Sequence, residues 1–355
     1  DLDAVVAGDV VYNQIHAIDD EAERKAFVAE KHAEYAEGID VFKIAAANAV
    51  EGRNLIKRLN PDVVTLDIEM PGMNGLDFLE KIMTLRPTPV IIVSGATTKG
   101  AEVTARALML GAVACCSKAD ITVDRSGGDA LPDLIHEAAQ VRFSGARHAR
   151  ASGTMASREV ARSGAARPAL IAIGASTGGI EALQTLLRGF PADCPPTAIV
   201  QHVNARFVPA IANSLNAICD AEVVVAEPDM PMHPGRVYIA PGDHRHMRIG
   251  GSATPCIKLR TGDPVAGHLP SVDVLLQSAA QAVGARAAGA VLTGMGCDGA
   301  QGLLAMARAG AKTIAQDEAT SIVFGMPRAA ISLGAARVVA PIERIADHLL
   351  AGGAA

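Results

Sequence analysis

Short apolar runs take turns with amphipathic stretches from Tyr12 to Ala119, and the alternation resumes at Ala169 and continues to Leu350. Few folds accept that rhythm. Strand–helix–strand units pair their strands in parallel through right-handed crossovers, which builds open sheets covered by helices. In the first stretch, strands are predicted at Ile15–Ile18, Ile39–Ala46, Val63–Leu66, Val90–Val93 and Val113–Cys116. Helices are predicted over Glu21–Glu37, Val50–Leu59, Leu76–Leu85 and Gly100–Leu110. Aromatic residues make up only 3% of the chain and Trp is absent, so Val, Ile, Leu and Ala must fill the interior. Strands buried on both faces of a parallel sheet use those residues.

A chain of 355 residues suggests two domains. Residues 1–10 are set apart as an N-terminal extension, 11–125 form the first domain, 126–167 a linker and 168–355 the second domain. The linker contains one helix-like piece, Leu131–Val141, and then a Ser, Gly, Ala and Arg stretch without apolar periodicity. A formal charge of -6 and a pI near 5.9 argue against a nucleic-acid partner. No apolar run is long enough to insert in a membrane, and no signal peptide opens the chain. Cys115, Cys116, Cys194, Cys219, Cys256 and Cys297 show no CxxC spacing, which disfavours zinc and suggests reduced thiols. The expectation is a soluble, cytoplasmic α/β protein.

The second domain opens with an apolar run ending in Gly174-Ala175-Ser176-Thr177-Gly178-Gly179, followed by a helical stretch, Ile180–Leu187. A tight strand-to-helix turn exposes a serine hydroxyl at the sheet edge, the placement a nucleophile needs. Glycine-rich turns of this kind also cradle anions or nucleotides, or serve only as turns, and the turn alone leaves all three open. A serine nucleophile requires a base. His202 follows the strand-like run Thr197–Gln201, while His233, His244, His246 and His268 fall in loops. Asp298 lies in Gly294-Met295-Gly296-Cys297-Asp298-Gly299, after the strand-like Ala290–Thr293 and before a helical Ala300–Ala309. It could cap that helix or orient a histidine. Three strand-end turns offering Ser, His and Asp make a triad the economical reading. The backbone N–H groups of Thr177 and Met295 are the candidate oxyanion donors.

In the first domain, acids and polar residues stand at successive strand ends: Asp19-Asp20, Asp67, Ser94 and Lys118. Clustered carboxylates usually persist because a hard divalent cation neutralises them. With the run Pro61-Asp62-Val63-Val64-Thr65-Leu66-Asp67-Ile68-Glu69-Met70-Pro71-Gly72, these residues resemble a response-regulator receiver domain. The resemblance implies a flavodoxin-like, five-stranded parallel sheet in which Asp67 is phosphorylated. It further implies Mg²⁺ held by Asp19, Asp20, Asp67 and Glu69, with Ser94 as the switch hydroxyl and Lys118 paired with the phosphoryl group. The chain departs from the family pattern where Ala119, not Pro, follows the lysine, and where Ala114, Cys115 and Cys116 replace an aromatic in the fifth strand.

The second domain resembles the chemotaxis protein-glutamate methylesterases, the CheB family. The matching segments are Gly174–Gly179, Gln201-His202, Ile239-Ala240-Pro241-Gly242-Asp243-His244, Pro270-Ser271-Val272-Asp273 and Thr293–Ala300. That resemblance implies a doubly wound α/β esterase domain with catalytic Ser176, His202 and Asp298 and no catalytic cofactor. It implies hydrolysis of γ-glutamyl methyl esters on methyl-accepting chemoreceptors, releasing methanol, and deamidation of receptor glutamines. A chemotaxis histidine kinase would be the phosphodonor, and the receiver would restrain the esterase until Asp67 is phosphorylated. A two-domain signalling module with degenerate catalysis is the alternative. A phospho-regulated transcription factor would need a basic DNA-reading face, which the acidic second half does not offer.

Overall fold

The computed structural model describes residues 2–7, 41–46, 48–68, 74–95, 97–118, 131–141, 167–251 and 254–351. The chain divides into two compact units, Asp1–Phe143 and Ser144–Ala355.

The first unit is built on five parallel strands: β1 (Leu2–Ala7), β2 (Val41–Ala46), β3 (Val63–Asp67), β4 (Val90–Ser94) and β5 (Ala114–Ser117). Their order is β2-β1-β3-β4-β5. β3 and β4 are buried along their whole length, as strands dominated by Val, Leu and Ile in a parallel sheet are. Helices α1 (Ala49–Leu59), α2 (Gly75–Leu85) and α3 (Thr98–Met109) connect them, and each start is marked by a side chain. Asn48 accepts from the amides of Val50 and Glu51, Asn74 from Leu76 and Thr97 from Gly100. Asn60, in the left-handed conformation at φ 51°, ends α1.

Two boundaries differ from the sequence reading. Residues 1–10 are not an extension: Leu2–Ala7 forms β1 and lies between β2 and β3, with Ala7 beside Leu66. The run Leu2-Asp3-Ala4-Val5-Val6-Ala7 carries adjacent Val residues, strong strand formers, whereas Ile15–Ile18 is interrupted by His16. Ile15–Ile18 and the predicted helix Glu21–Glu37 lie outside the described residues. The helix-like piece assigned to the linker is α4 (Leu131–Ala139), and it falls within the first unit with Leu134, Ile135 and Ala138 buried. The Arg-rich segment after Val141 is outside the described residues up to Arg167.

The second unit carries a seven-stranded parallel sheet of β6 (Leu170–Ala175), β7 (Thr197–Gln201), β8 (Glu222–Val225), β9 (Arg236–Ile239), β12 (Ala287–Val291), β13 (Lys312–Gln316) and β14 (Val338–Ala340). The order is β14-β13-β12-β6-β7-β9-β8. The chain starts at β6, builds outward through β7 to β8 and β9, and then returns to the other side of β6 with β12. The topological switch therefore falls between β6 and β12, where open α/β sheets form their crevice. The helices are α5 (Gly179–Leu187), α6 (Val208–Asn216), α7 (Val272–Val283), α8 (Ala300–Arg308), α9 (Met326–Ser332) and α10 (Ile342–Leu350).

An antiparallel hairpin, β10 (Arg245–Gly250) and β11 (Cys256–Thr261), was not read from the sequence. One core joins it to the sheet: Met247, Ile249, Ile257 and Leu259 of the hairpin, Leu275, Leu276 and Ala279 of α7, and Leu170, Ala172 and Ala198 of the strands are all buried in it. α7 is thereby held against both, and its first turn reaches the carboxyl edge of β6. At that edge Gly174 allows the contact, since a Cβ there would come within 2.0 Å of Val272 Cγ1.

Candidate active site

β6 and β7 are neighbours in register, with Ala175 opposite Gln201. The next residue on each strand is therefore Ser176 and His202, side by side at the sheet edge, and the His202 amide donates to the Ala175 carbonyl at 3.0 Å. The turn after Ser176 closes through the Gly179 amide, which donates to the Ser176 carbonyl at 2.7 Å. Gly178 supplies the positive φ, 74°, that this turn requires, and a Cβ there would lie 2.4 Å from Ile322. The Ser176 amide donates to the Thr293 carbonyl at 3.0 Å, which ties the turn to the end of β12. Gly294 permits that approach, because a Cβ on it would stand 2.7 Å from Ser176 Cβ.

The Gln201 amide group donates to the carbonyls of both Ser176 (2.9 Å) and His202 (3.1 Å). One buried side chain thus pins the two turns together. Thr293 does comparable work on the other side: its hydroxyl donates to the Thr177 carbonyl at 3.0 Å, and its own amide donates to Gln316 Oε1 at 2.8 Å.

Asp298 completes the group. It is wholly buried and accepts the His202 Nε2–H at 3.0 Å. Its carboxylate also accepts the Ser271 hydroxyl at 2.7 Å and the amides of Val272 (2.7 Å) and Asp273 (2.9 Å). Burial alone would raise its pKa. The bonds from His202 and the Asp273 amide, the charge of His202 and the Ser271 hydroxyl outweigh that, and hold the carboxyl below its ordinary value. Asp298 does not cap the helix that follows it, where Gly299 is the N-cap without a side-chain bond. It caps α7 instead. Asp273, in the first turn of α7, returns the arrangement by accepting the Gly302 amide of α8 at 2.7 Å. Desolvation raises the Asp273 pKa, against the bond from Gly302, and the nearby Asp298 charge raises it further.

With Nε2–H committed to Asp298, the neutral His202 ring carries its bare lone pair on Nδ1. That nitrogen is buried and has no hydrogen-bond partner. An imidazole so held can take a proton from a neighbouring hydroxyl, and a buried carboxylate behind it stabilises the imidazolium that results.

His202 and Asp298 are thus hydrogen-bonded to each other at the strand edge next to Ser176, and His268, a loop residue, stacks on the His202 ring with centroids 3.8 Å apart. His246 is buried in β10, with Nδ1 accepting the Ser271 amide at 3.1 Å and Nε2 directed at the Asp263 carbonyl at 2.9 Å. Among the described residues no group of three or more His, Cys, Asp or Glu is arranged to hold a metal. Gln201, Ser271, Asp273 and Thr293 fall in segments that carry the family resemblance, but the sequence reading gave none of them, nor Gln316, a role. The available signal was the start pattern of α7, where Ser271 is the N-cap, its side chain accepting from Val274.

In the first unit Asp67 ends β3, is buried, and pairs with Lys118 Nζ at 2.5 Å. The Ser94 hydroxyl, at the end of the adjacent β4, donates to the carbonyls of Gly95 and Gly100 at 3.3 Å each. Asp19, Asp20, Glu69 and Ala119 lie outside the described residues.

The fold and these edges define a two-unit α/β protein with a polar site at the carboxyl ends of the strands in each unit. A family model described as CheB methylesterase matches residues 171–349, and one described as response regulator receiver domain matches 15–122, leaving β1 outside the match. A protein-glutamate methylesterase/protein-glutamine glutaminase of Agrobacterium fabrum is 48% identical over 86% of this chain and 87% of its own length. A Caulobacter vibrioides relative with that name and the suffix 1 is 48% identical over 86% of this chain and 88% of its own. The crystal structure of the Thermotoga maritima CheB methylesterase catalytic domain covers 52% of this chain and 98% of that one, with a TM-score of 0.50 and 32% identity. The chain belongs to the CheB methylesterase family.

Proposed function

We propose that this chain is a phosphorylation-regulated protein-glutamate methylesterase and protein-glutamine glutaminase whose catalytic residues are Ser176, His202 and Asp298. The substrates are γ-glutamyl methyl esters and glutamine side chains on the cytoplasmic part of methyl-accepting chemoreceptors. The reading rests chiefly on one observation: a His202 ring whose Nε2–H is bonded to buried Asp298 at 3.0 Å and whose Nδ1 is buried without a partner, on the strand next to Ser176.

Ser176 Oγ gives its proton to His202 Nδ1 and attacks the ester or amide carbonyl. The backbone N–H groups of Thr177 and Met295 stabilise the oxyanion. Imidazolium returns the proton to the departing methoxide or amine, so methanol or ammonia leaves. Water, deprotonated by His202, then frees the glutamate carboxyl from the serine ester. The steps use side chains and backbone amides of this chain together with water, and the cofactor expected for catalysis is none.

In the receiver, Asp67 accepts phosphate from a chemotaxis histidine kinase, with Ser94 and Lys118 facing the phosphoryl group. The resemblance assigns Mg²⁺ to Asp19, Asp20, Asp67 and Glu69; with β1 at Leu2–Ala7 the pair Asp19-Asp20 does not directly follow the first strand, so Asp67 at the end of β3 is the ligand on which this reading rests. When bound, the ion neutralises charge around the incoming phosphoryl group. Phosphorylation raises esterase activity, and the chain works in the cytoplasm. No described helix is long and apolar enough to cross a membrane.

The test is methanol release from a methylated receptor. Ser176→Ala is expected to lower kcat by at least about a thousandfold. Asp67→Asn is expected to keep basal activity and lose stimulation by a phosphodonor. Full turnover by Ser176→Ala would leave the degenerate signalling module as the better reading.

A further inference from the structure

We infer that His268 is a positioning residue for the base: it holds the His202 ring in the plane from which Nδ1 meets Ser176, and lends its π face to the imidazolium formed there. This deepens the esterase reading above and rests on it.

The two imidazoles are stacked, with centroids 3.8 Å apart and planes 8° from parallel. One hydrogen bond from Nε2 to Asp298 fixes where that nitrogen sits, but not how the ring tilts about it. A flat ring lying against one face removes that tilt. The stack also favours one charge state. Two neutral rings face to face gain little, because their quadrupoles align unfavourably. A cation over a π face is attracted to it. The contact therefore strengthens when His202 takes the serine proton, which is the differential binding that lowers a barrier.

His268 is presented by a rigid device. Val265 and His268 exchange backbone hydrogen bonds, each 3.0 Å, across Ala266 and Gly267. Both central residues have positive φ, 52° and 82°. Positive φ at both central residues of a two-residue hairpin loop is what a type I′ turn requires. The turn is exposed, with Val265 at 37%, so packing in the hydrophobic core does not explain it. Three residues beyond His268 the same segment reaches Ser271, Val272 and Asp273, the donors that hold Asp298. One stretch of chain thus grips the acid and covers the base.

Two variants of the full chain test this, His268→Ala and His268→Phe. With a methylated receptor fragment as substrate, His268→Ala is expected to lower kcat about 10- to 100-fold, as loss of orientation does. KM and the melting temperature should stay close to the wild type. His268→Phe keeps a flat ring without a titratable nitrogen and should recover most of that loss. An unchanged kcat in His268→Ala overturns the inference. So does a change confined to KM, which would mark a substrate contact, or a His268→Phe enzyme as slow as His268→Ala. The NMR shifts of the His202 ring protons give a second reading independent of turnover. The stack is expected to shift them upfield in the wild type and in His268→Phe, and not in His268→Ala; shifts unmoved in His268→Ala overturn it. A wild type without methanol release, or a Ser176→Ala variant as active as the wild type, overturns the esterase reading instead.

Discussion

Asp298 receives four hydrogen bonds, from Ser271, Val272, Asp273 and His202. A carboxylate offers roughly four lone-pair sites, so this one is saturated and has no place left for a proton. That fits a group that orients and stabilises the imidazolium and is not itself protonated. Asp298→Asn turns an N–H₂ toward donors and is expected to cut kcat by about 10⁴. It also predicts a pH effect. The native carboxyl lies below its ordinary value, so the folded state binds fewer protons there than the unfolded chain. Its stabilisation is full above the unfolded carboxylate value, near pH 4, and is lost as pH falls through the lower native value. Urea titrations should therefore find Asp298→Asn less stable than wild type at neutral pH, with the gap narrowing on acidification. A gap constant from neutral to strongly acid pH would contradict this. At this scale the placement of Ser176, His202 and Asp298 in turns after strands was legible because each follows an apolar run. The roles of Gln201 and Thr293 were not, because their partners lie 25 or more residues away, and Ser271 shows locally only as a helix start, not as a donor to Asp298, 27 residues on.

Helices α7 and α8 cap each other: Asp298 precedes α8 and binds the first amides of α7, while Asp273 of α7 binds the Gly302 amide of α8. Neither start is complete alone, and Asp298 reaches His202 only when both are formed. Ser271→Ala removes a hydroxyl donated to a buried carboxylate and should destabilise by about 2 kcal/mol, a typical value for a bond to a charged group. Chemical denaturation measures it; a loss below about 0.5 kcal/mol would show that the cap stands without Ser271. At the nucleophile turn Gly178→Ala combines positive φ, costing about 1–2 kcal/mol, with a Cβ 2.4 Å from Ile322. Both stability and kcat should fall. The starts of α1, α2 and α3, capped by Asn48, Asn74 and Thr97, fall within two residues of the sequence reading, whereas α7, capped by Ser271, was not read. The cross-caps were not legible, since Asp298 next to α8 reads as that helix's own cap. β1 differs from the sequence reading for a related reason: Leu2–Ala7 and Ile15–Ile18 are both short apolar runs before acids, the local difference between them is small, and pairing with β2 and β3 decides for the first.

Ser176, His202 and Asp298 all belong to the second unit. A fragment of residues 168–355 is therefore expected to hydrolyse receptor methyl esters without a phosphodonor, and to be insensitive to one. Methanol release compared between the fragment and the full chain checks this; an inactive but folded fragment would show that the first unit supplies part of the site. The two-unit division was legible in the pause between apolar runs, whereas α4 was assigned to the linker because its partners, the strands of the first unit, lie far back in the chain.

The return of the chain to the far side of β6 has a consequence in time. A ribosome delivers Ser176 and His202 within a few dozen residues of each other, but the carboxylate that orients the base follows about a hundred residues later. On the proposed mechanism, an unfinished polypeptide thus exposes a serine beside an unsupported imidazole, and hydrolytic power is expected only once β12 has slotted in next to the first-made strand.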